Sequence, residues 1–101
     1  MAVHRIEIPE AEITAFCRRH HIRRLALFGS VLRDDFRPDS DIDVLVEFEP
    51  GQVVGLSILA MEQELSAILG GRDVDMVNPK YLNRRLRERI LDSARVIYAE
   101  G

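Results

Sequence analysis

Within seventeen residues the chain places two kinds of groups that together can work on a nucleotide. The run Leu27-Phe28-Gly29-Ser30 is followed by Arg33 and then by Asp39-Ser40-Asp41-Ile42-Asp43-Val44-Leu45-Val46. Gly29 lets a backbone approach a phosphate with no side chain in the way. Ser30 adds a hydroxyl and stands where a helix would open, with N-terminal amides that favour an anion. Asp41 and Asp43 are two apart on an expected strand, so the strand period puts both carboxylates on one face. Carboxylates that close repel one another unless a cation neutralises them. Oxygen ligands of this kind suit Mg²⁺, which takes one or two carboxylates together with substrate phosphates. A phosphate grip would then sit beside a metal grip, the arrangement in which a metal bridges triphosphate oxygens.

A third carboxylate is expected on a neighbouring strand, to hold a second metal or to accept a proton. The candidates are Asp73 and Asp75 in Arg72-Asp73-Val74-Asp75-Met76-Val77. They share a strand face, and spacing alone does not choose between them. Alone, a Gly-Ser pair is a common turn and an Asp-x-Asp is often a solvated strand face. The joint pattern, at fixed spacing between two expected strands, carries the signal.

Several elements must position these groups. The sequence predicts a helix over 9–20, with Ile13, Phe16 and Cys17 on one face and Pro9 in the first turn. A strand over 24–28 is stopped by Gly29, and Ser30 caps a short helix over 31–35. The turn Arg37-Pro38-Asp39-Ser40 leads into a strand over 41–48. Its Ile42, Val44 and Val46 point one way, and Asp41, Asp43, Leu45 and Glu47 the other. Pro50-Gly51 breaks it. A helix over 56–69 carries an apolar stripe of Ile58, Met61, Leu65, Ile68 and Leu69, read as core with part of it available as a seam. Gly70-Gly71 stop that helix. A strand over 72–77, a helix over 80–92 capped by Asn78, and a closing strand over 95–99 complete the chain. Tyr81, Leu82, Leu86 and Ile90 are expected on the inner face of the last helix, with Tyr81 and Tyr98 as packing residues. This alternation predicts an α/β (α+β) fold, a small mixed sheet flanked by helices in two or three layers.

At 101 residues the chain is read as a single domain, 1–101, and 47% apolar content suits a packed core. The net charge of -3 gives no global attraction to nucleic acid or an anionic membrane. Charge is nevertheless segregated. Residues 34–50 hold seven acids against one base, and residues 78–101 hold six bases against three acids. An acidic centre of that density calls for a cation. The uncharged stretch Val53–Met61 is far too short to span a membrane, and the N-terminus lacks a signal pattern. Cys17 is the single cysteine, so no internal disulfide forms, and it reads as a buried packing residue. Both points fit a cytoplasmic location.

At these residues the chain resembles the minimal nucleotidyltransferases of the DNA polymerase beta-like superfamily. The resemblance rests on Gly29-Ser30, on Arg33 three residues on, and on Asp41-Ile42-Asp43 eleven residues after the serine. It is close from Leu27 to Phe48, and the element order follows along almost the whole chain. It implies a nucleotidyltransferase fold that uses Mg²⁺, two ions, with ATP as substrate. Gly29 and Ser30 would hold phosphate, and Asp41 and Asp43 would ligate metal. The family's third acid sits in a Val-Asp-hydrophobic-Val setting, which favours Asp75 over Asp73. The expected reaction is attack on the α-phosphate, with transfer of a nucleoside monophosphate and release of pyrophosphate. Many relatives carry glycine after the arginine where this chain has Asp34, so Arg33 either supports the loop or reaches phosphate.

Resemblance to the antitoxin group within this family implies a HEPN-domain toxin as partner, with AMP placed on one of its tyrosines. A non-catalytic antitoxin or regulatory subunit acting by contact is the alternative. Transfer to a small molecule or a nucleic acid is a third reading. A chain this short leaves no acceptor-binding domain, which points to a second protein and to a homo- or hetero-oligomer. The cluster Arg84, Arg85, Arg87 and Arg89 reads first as a solvated face, partly paired through Arg84–Glu88, then as a partner surface. No aromatics interleave it, which argues against single-strand binding. His20-His21 close the first helix where positive charge is favoured, and His4 reads as an exposed terminal residue.

Overall fold

A computed structural model describes residues 2–3, 6–32, 41–51 and 57–100 of the chain. Two short strands, Ala2–Val3 (β1) and Ile6–Glu7 (β2), pair antiparallel at the start. Helix α1 spans Glu10–Arg19. Pro9 precedes it, and the Pro9 carbonyl accepts the first helical bond, from Ile13 N at 3.0 Å. Glu10 and Glu12 occupy the first turn and Arg18 and Arg19 the last, so both ends complement the helix dipole. His21, with φ of 56°, turns the chain into the strand Ile22–Phe28 (β3). A four-residue 3-10 turn covers Gly29–Leu32. There follow the strand Ile42–Phe48 (β4), the helix Ser57–Ile68 (α2) and the strand Val74–Val77 (β5). A 3-10 turn at Pro79–Tyr81, the helix Arg84–Ser93 (α3) and the strand Arg95–Ala99 (β6) end the fold.

The main sheet has the order β5-β4-β3-β6. β3 runs antiparallel to both β4 and β6, while β4 and β5 are parallel, which makes the sheet mixed as expected. The parallel pair needs a crossover, and α2 supplies it. One sheet face carries Leu25, Leu27, Ile42, Val44 and Val46, all fully buried. α1 packs Ile13, Phe16 and Cys17 into this core and α2 adds Met61 and Leu65, with Leu69 just beyond its end. Burial pushes the Cys17 thiol up to about 12, so it stays protonated and serves as packing. The free edge of β5 is covered from the same side. Met76 N donates to the Glu62 carboxylate at 2.8 Å, which blunts an edge that would otherwise invite another strand.

Several boundaries differ from the sequence expectation. β3 starts at Ile22, two residues early, because Arg24 is neutralised across the ladder by Glu47, its register partner. The short helix expected over 31–35 is a 3-10 turn as far as Leu32, and its remainder lies outside the described residues. β5 begins only at Val74, since Gly70 and Gly71 both hold positive φ and prolong the turn. Asn78 caps the 3-10 turn, not the helix. Asn83 caps α3, its side chain accepting from Leu86 N at 2.9 Å. The expected inner face of the last helix is kept only in part, with Leu82 and Ile90 half-buried. No residue of α3 is buried, Leu86 is 41% exposed, and Tyr81 is 81% exposed where a packing role was predicted. α1 and α2 already fill the core. Tyr98 does pack against the core. The strands β1 and β2 carry no periodic signal in two residues each, and sequence reading missed them. His4 lies outside the described residues.

α1 and α2 are tied at Glu64. Arg19 pairs with it, His20 Nε2 lies 2.7 Å from its other oxygen, and the His20 ring rests on Phe16 at 4.8 Å. Burial alone would raise the Glu64 carboxyl, but the hydrogen bonds and charges of His20 and Arg19 outweigh it and hold the group below its ordinary value. A lowered carboxyl contributes stability above its unfolded pKa and loses that contribution as pH falls through the folded one. Glu64→Gln should therefore destabilise the fold near neutrality by about 0.5–1 kcal/mol, the scale of a part-exposed pair. Denaturant curves of the two proteins should converge as pH drops below the carboxylate range.

Candidate active site

The sheet face opposite the buried leucines and valines carries Arg24, Ala26 and Phe28 of β3, Asp43, Leu45 and Glu47 of β4, and Asp75 and Val77 of β5. The ladder registers align them in rows. Phe28 stands opposite Asp43, Ala26 opposite Leu45 and Arg24 opposite Glu47. On the other side of β4, Asp43 stands opposite Asp75 and Leu45 opposite Val77. Paired residues on adjacent strands point to the same side at a backbone separation of about 4.8 Å. Asp43 and Asp75 are therefore lateral neighbours, the first half-buried and the second exposed.

Gly29 meets this row from the third strand. It follows Phe28, holds φ of +76°, and starts the 3-10 turn. A Cβ placed on it would overlap Asp43 Oδ2 and lie 3.2 Å from Asp43 Cγ. Two independent constraints thus require glycine at 29, the left-handed backbone and the carboxylate against it. The close approach is invisible to spacing. It depends on the β3–β4 register, and a glycine next to a strand end is the one sequence signal that hints at it.

The structure distributes the remaining sequence-predicted residues as follows. Asp41 is exposed, one residue before β4, on the side of Asp43 by strand alternation. Asp73 lies before β5, outside the ladder, and its carbonyl accepts from Ile42 N at 2.8 Å. Ser30 belongs to the same turn as Gly29, with its side chain outside the described residues. Arg33 lies wholly outside them. As far as Leu32 the helix expected after Ser30 is a 3-10 turn, and its backbone, with Gly29 at its start, is what the described residues offer to an anion.

Among the described residues, no three acidic, histidine or cysteine side chains converge closely enough to hold a metal ion by themselves. The donor set nevertheless fits Mg²⁺. It is all oxygen, and a Mg²⁺ ion that keeps water and phosphate oxygens needs one or two carboxylates. Asp43 beside Asp75, with Asp41 two residues earlier, meets that requirement. Gly29 keeps open the space against Asp43 that a side chain would fill. A concavity lies elsewhere, at the far end of β4, and is lined in part by Phe48, Asn78 and Tyr81. Phe48 is five residues from Asp43, about 16 Å along a strand.

Comparison with known proteins agrees with this geometry. The nucleotidyltransferase domain profile matches residues 12–97. The protein adenylyltransferase MntA of Thermococcus cleftensis is 34% identical over 95 residues, which cover 90% of this chain and 94% of the relative. A solved minimal nucleotidyltransferase superposes with a TM-score of 0.69 at 40% identity, covering 84% of this chain and 85% of its own. The fold is also that of a chain in the complex of a tri-AMPylated HEPN toxin of Shewanella oneidensis with an MNT antitoxin. There the TM-score is 0.63 at 20% identity, with 90% of this chain and 70% of that chain covered. No helix among the described residues is long and apolar enough to cross a membrane.

The Gly29 contact makes a direct prediction. Gly29→Ala should add about 1–3 kcal/mol of local strain and push Asp43 from its place. Thermal unfolding should show a modest loss of stability, while nucleotide affinity, followed with a fluorescent ATP analogue, should fall far more steeply than stability does.

Proposed function

Since the chain belongs to the nucleotidyltransferase family, as a minimal, MntA-like member, we propose that it transfers AMP from ATP to a tyrosine of a HEPN-domain toxin and thereby acts as its antitoxin. The observation that carries this reading is the row Gly29–Asp43–Asp75, set by two strand registers. It supplies a close-approach turn for phosphate and adjacent carboxylates for metal on one open face. The adenylyltransferase relative and the AMPylated toxin complex support the choice of donor and acceptor.

The residues would divide the work as follows. The Gly29 turn and Ser30 receive the triphosphate, with Arg33 supporting the loop or reaching phosphate. Asp41, Asp43 and Asp75 would hold Mg²⁺, as two ions. Bound Mg²⁺ supplies neutralisation of the charge that develops on the phosphate oxygens. The tyrosine oxygen attacks the α-phosphorus in line. Its bond to phosphorus forms as the bond to the bridging oxygen breaks, and pyrophosphate leaves with that electron pair. The phenolic proton passes to a carboxylate, and the exposure of Asp75 and its position beside Asp43 support that residue as the acceptor. Asp73 has no such neighbour on β4 within the ladder.

Incubation with Mg²⁺, labelled ATP and the HEPN-domain protein of the same genome tests the proposal. Mass measurement should show AMP units added to the toxin, and Asp41→Ala together with Asp43→Ala should abolish the addition. If nothing is added and the toxin is still inhibited by these variants, the chain acts by contact alone and transfer is refuted. Asp75→Asn should slow transfer by roughly a hundredfold or more, whereas Asp73→Asn should leave it near the wild-type rate. The opposite ranking would move the third carboxylate to Asp73.

A further inference from the structure

The reaction site leaves the arginine-rich end of the chain without a role. Five large apolar side chains stand exposed among the described residues, and four of them fall between residues 81 and 96. They are Tyr81 at 81% exposure, Val96 at 46%, Leu86 at 41% and Leu91 at 36%. Scattered surface apolars are ordinary, but four within sixteen residues, on and around a helix with no fully buried residue, single out this end of the chain as a contact region. Arginines 84, 85, 87 and 89 run through the same helix, and Arg84 is the one with a carboxylate partner there, Glu88 at 3.3 Å.

Beside this helix opens the groove at the far end of β4, about 880 Å³ in volume. Apolar Phe48 and Ile58 line it, and Arg23, Lys80 and Arg87 bring positive charge. Its own carboxylates are already engaged, Glu47 by Arg24 and Glu49 by His21 at 3.2 Å. The charge left to face an incoming group is positive. Arg87 points to what that group carries. Its Nη2 donates to the Leu82 carbonyl at 3.3 Å, while its Nε is shielded from solvent and meets no acceptor among the described residues. The guanidinium lines the groove, and a carboxylate is the group that its charge and fork of donors favour.

We propose that Arg23, Lys80, Tyr81 and Arg87, around the groove, form the docking surface for the acceptor protein. This rests on the reading that the acceptor is a protein. The surface takes a partner face with apolar side chains at its centre and carboxylates at its edge, one of them reaching Arg87. Aromatic and arginine side chains together are the composition of protein-interface cores. Tyr81 is the one exposed aromatic side chain of this surface, whereas single-strand binding uses a series of them, so a protein is favoured over a nucleic acid. The distances agree. A standard interface covers about 800 Å² per partner, a patch roughly 30 Å across. One docked protein would therefore reach both the groove and Asp43, about 16 Å along β4. The nucleotide site and the anchoring site are separate, and the acceptor bridges them.

The test uses the full chain and the HEPN-domain protein of the same genome, with binding measured by calorimetry in the absence of nucleotide. Arg87→Glu and Lys80→Glu should each weaken binding by roughly tenfold or more, and Tyr81→Ala should weaken it measurably. Affinity for a fluorescent ATP analogue should not change in any of them. Thermal unfolding checks that the variants are folded, and the exposed Tyr81 keeps a readout if Arg87→Glu is not. Unchanged binding in all three, or no binding by the wild-type chain, overturns the docking surface. Binding that follows the prediction while no AMP is transferred refutes the transfer reading and leaves the surface standing. Two other occupants have their own signatures. A labelled single-stranded RNA whose anisotropy change is lost in the variants, with toxin binding intact, assigns the surface to nucleic acid. A dimer that the variants split in sedimentation, with toxin binding intact, assigns it to a second copy of the chain. Either result overturns the proposal.

Discussion

The register of β4 against its two neighbours is the constraint on which the site depends. A strand side chain alternates faces at every residue, so a slip of one position would turn Asp43 into the core and bring Val44 out. What prevents the slip is the cost of that exchange. Ile42, Val44 and Val46 are completely buried against α1 and α2, and a carboxylate in their place would have to shed its water with no partner. The same register that fills the core therefore sets Asp43 beside Asp75 on one side and against Gly29 on the other. Stability and chemistry are fixed by one alignment.

The fold divides its labour by face. The buried face is held by apolar packing and by the tie at Glu64, where one carboxylate joins both helices. The opposite face buries Ala26 and Leu45 at its middle and carries charge on either side of them. Its row of Arg24 and Glu47 joins a base to an acid, and its row of Asp43 and Asp75 sets two carboxylates side by side. Neighbouring carboxylates on a sheet face are oxygen donors that suit a cation. The edge strand that bears Asp75 is secured from behind by Glu62, so the third acid sits on a strand that is short yet anchored.

Much of this was legible in the chain. The alternation of Ile42, Val44 and Val46 with Asp43 and Glu47 announced both the strand and its faces. The stripes of α1 and α2 announced the core, and the Gly-Ser and Asp-x-Asp pair announced the kind of chemistry. What stayed hidden depends on long-range alignment. Spacing left Asp73 and Asp75 equivalent, and only the parallel ladder sets one of them opposite Asp43. The approach of Gly29 to Asp43 required the antiparallel register as well. The last helix misled for a different reason. Its periodicity is real, but a periodic pattern says that a face is apolar without saying what covers it, and here the core was already full. Asn83 was the overlooked signal, since an asparagine before the run of arginines is a natural place for a helix to begin.

Helix α3 also lies on a short path to the reaction centre. It ends at Ser93, and Arg95, two residues on, stands in register with Leu27, two residues before Gly29. The helix is thus stitched through one strand pair to the turn that holds Gly29 against Asp43. The backbone that leads from α3 to Gly29 joins a helix with no fully buried residue to a turn that admits no side chain, so a load placed on the first is carried by one strand pair to the second.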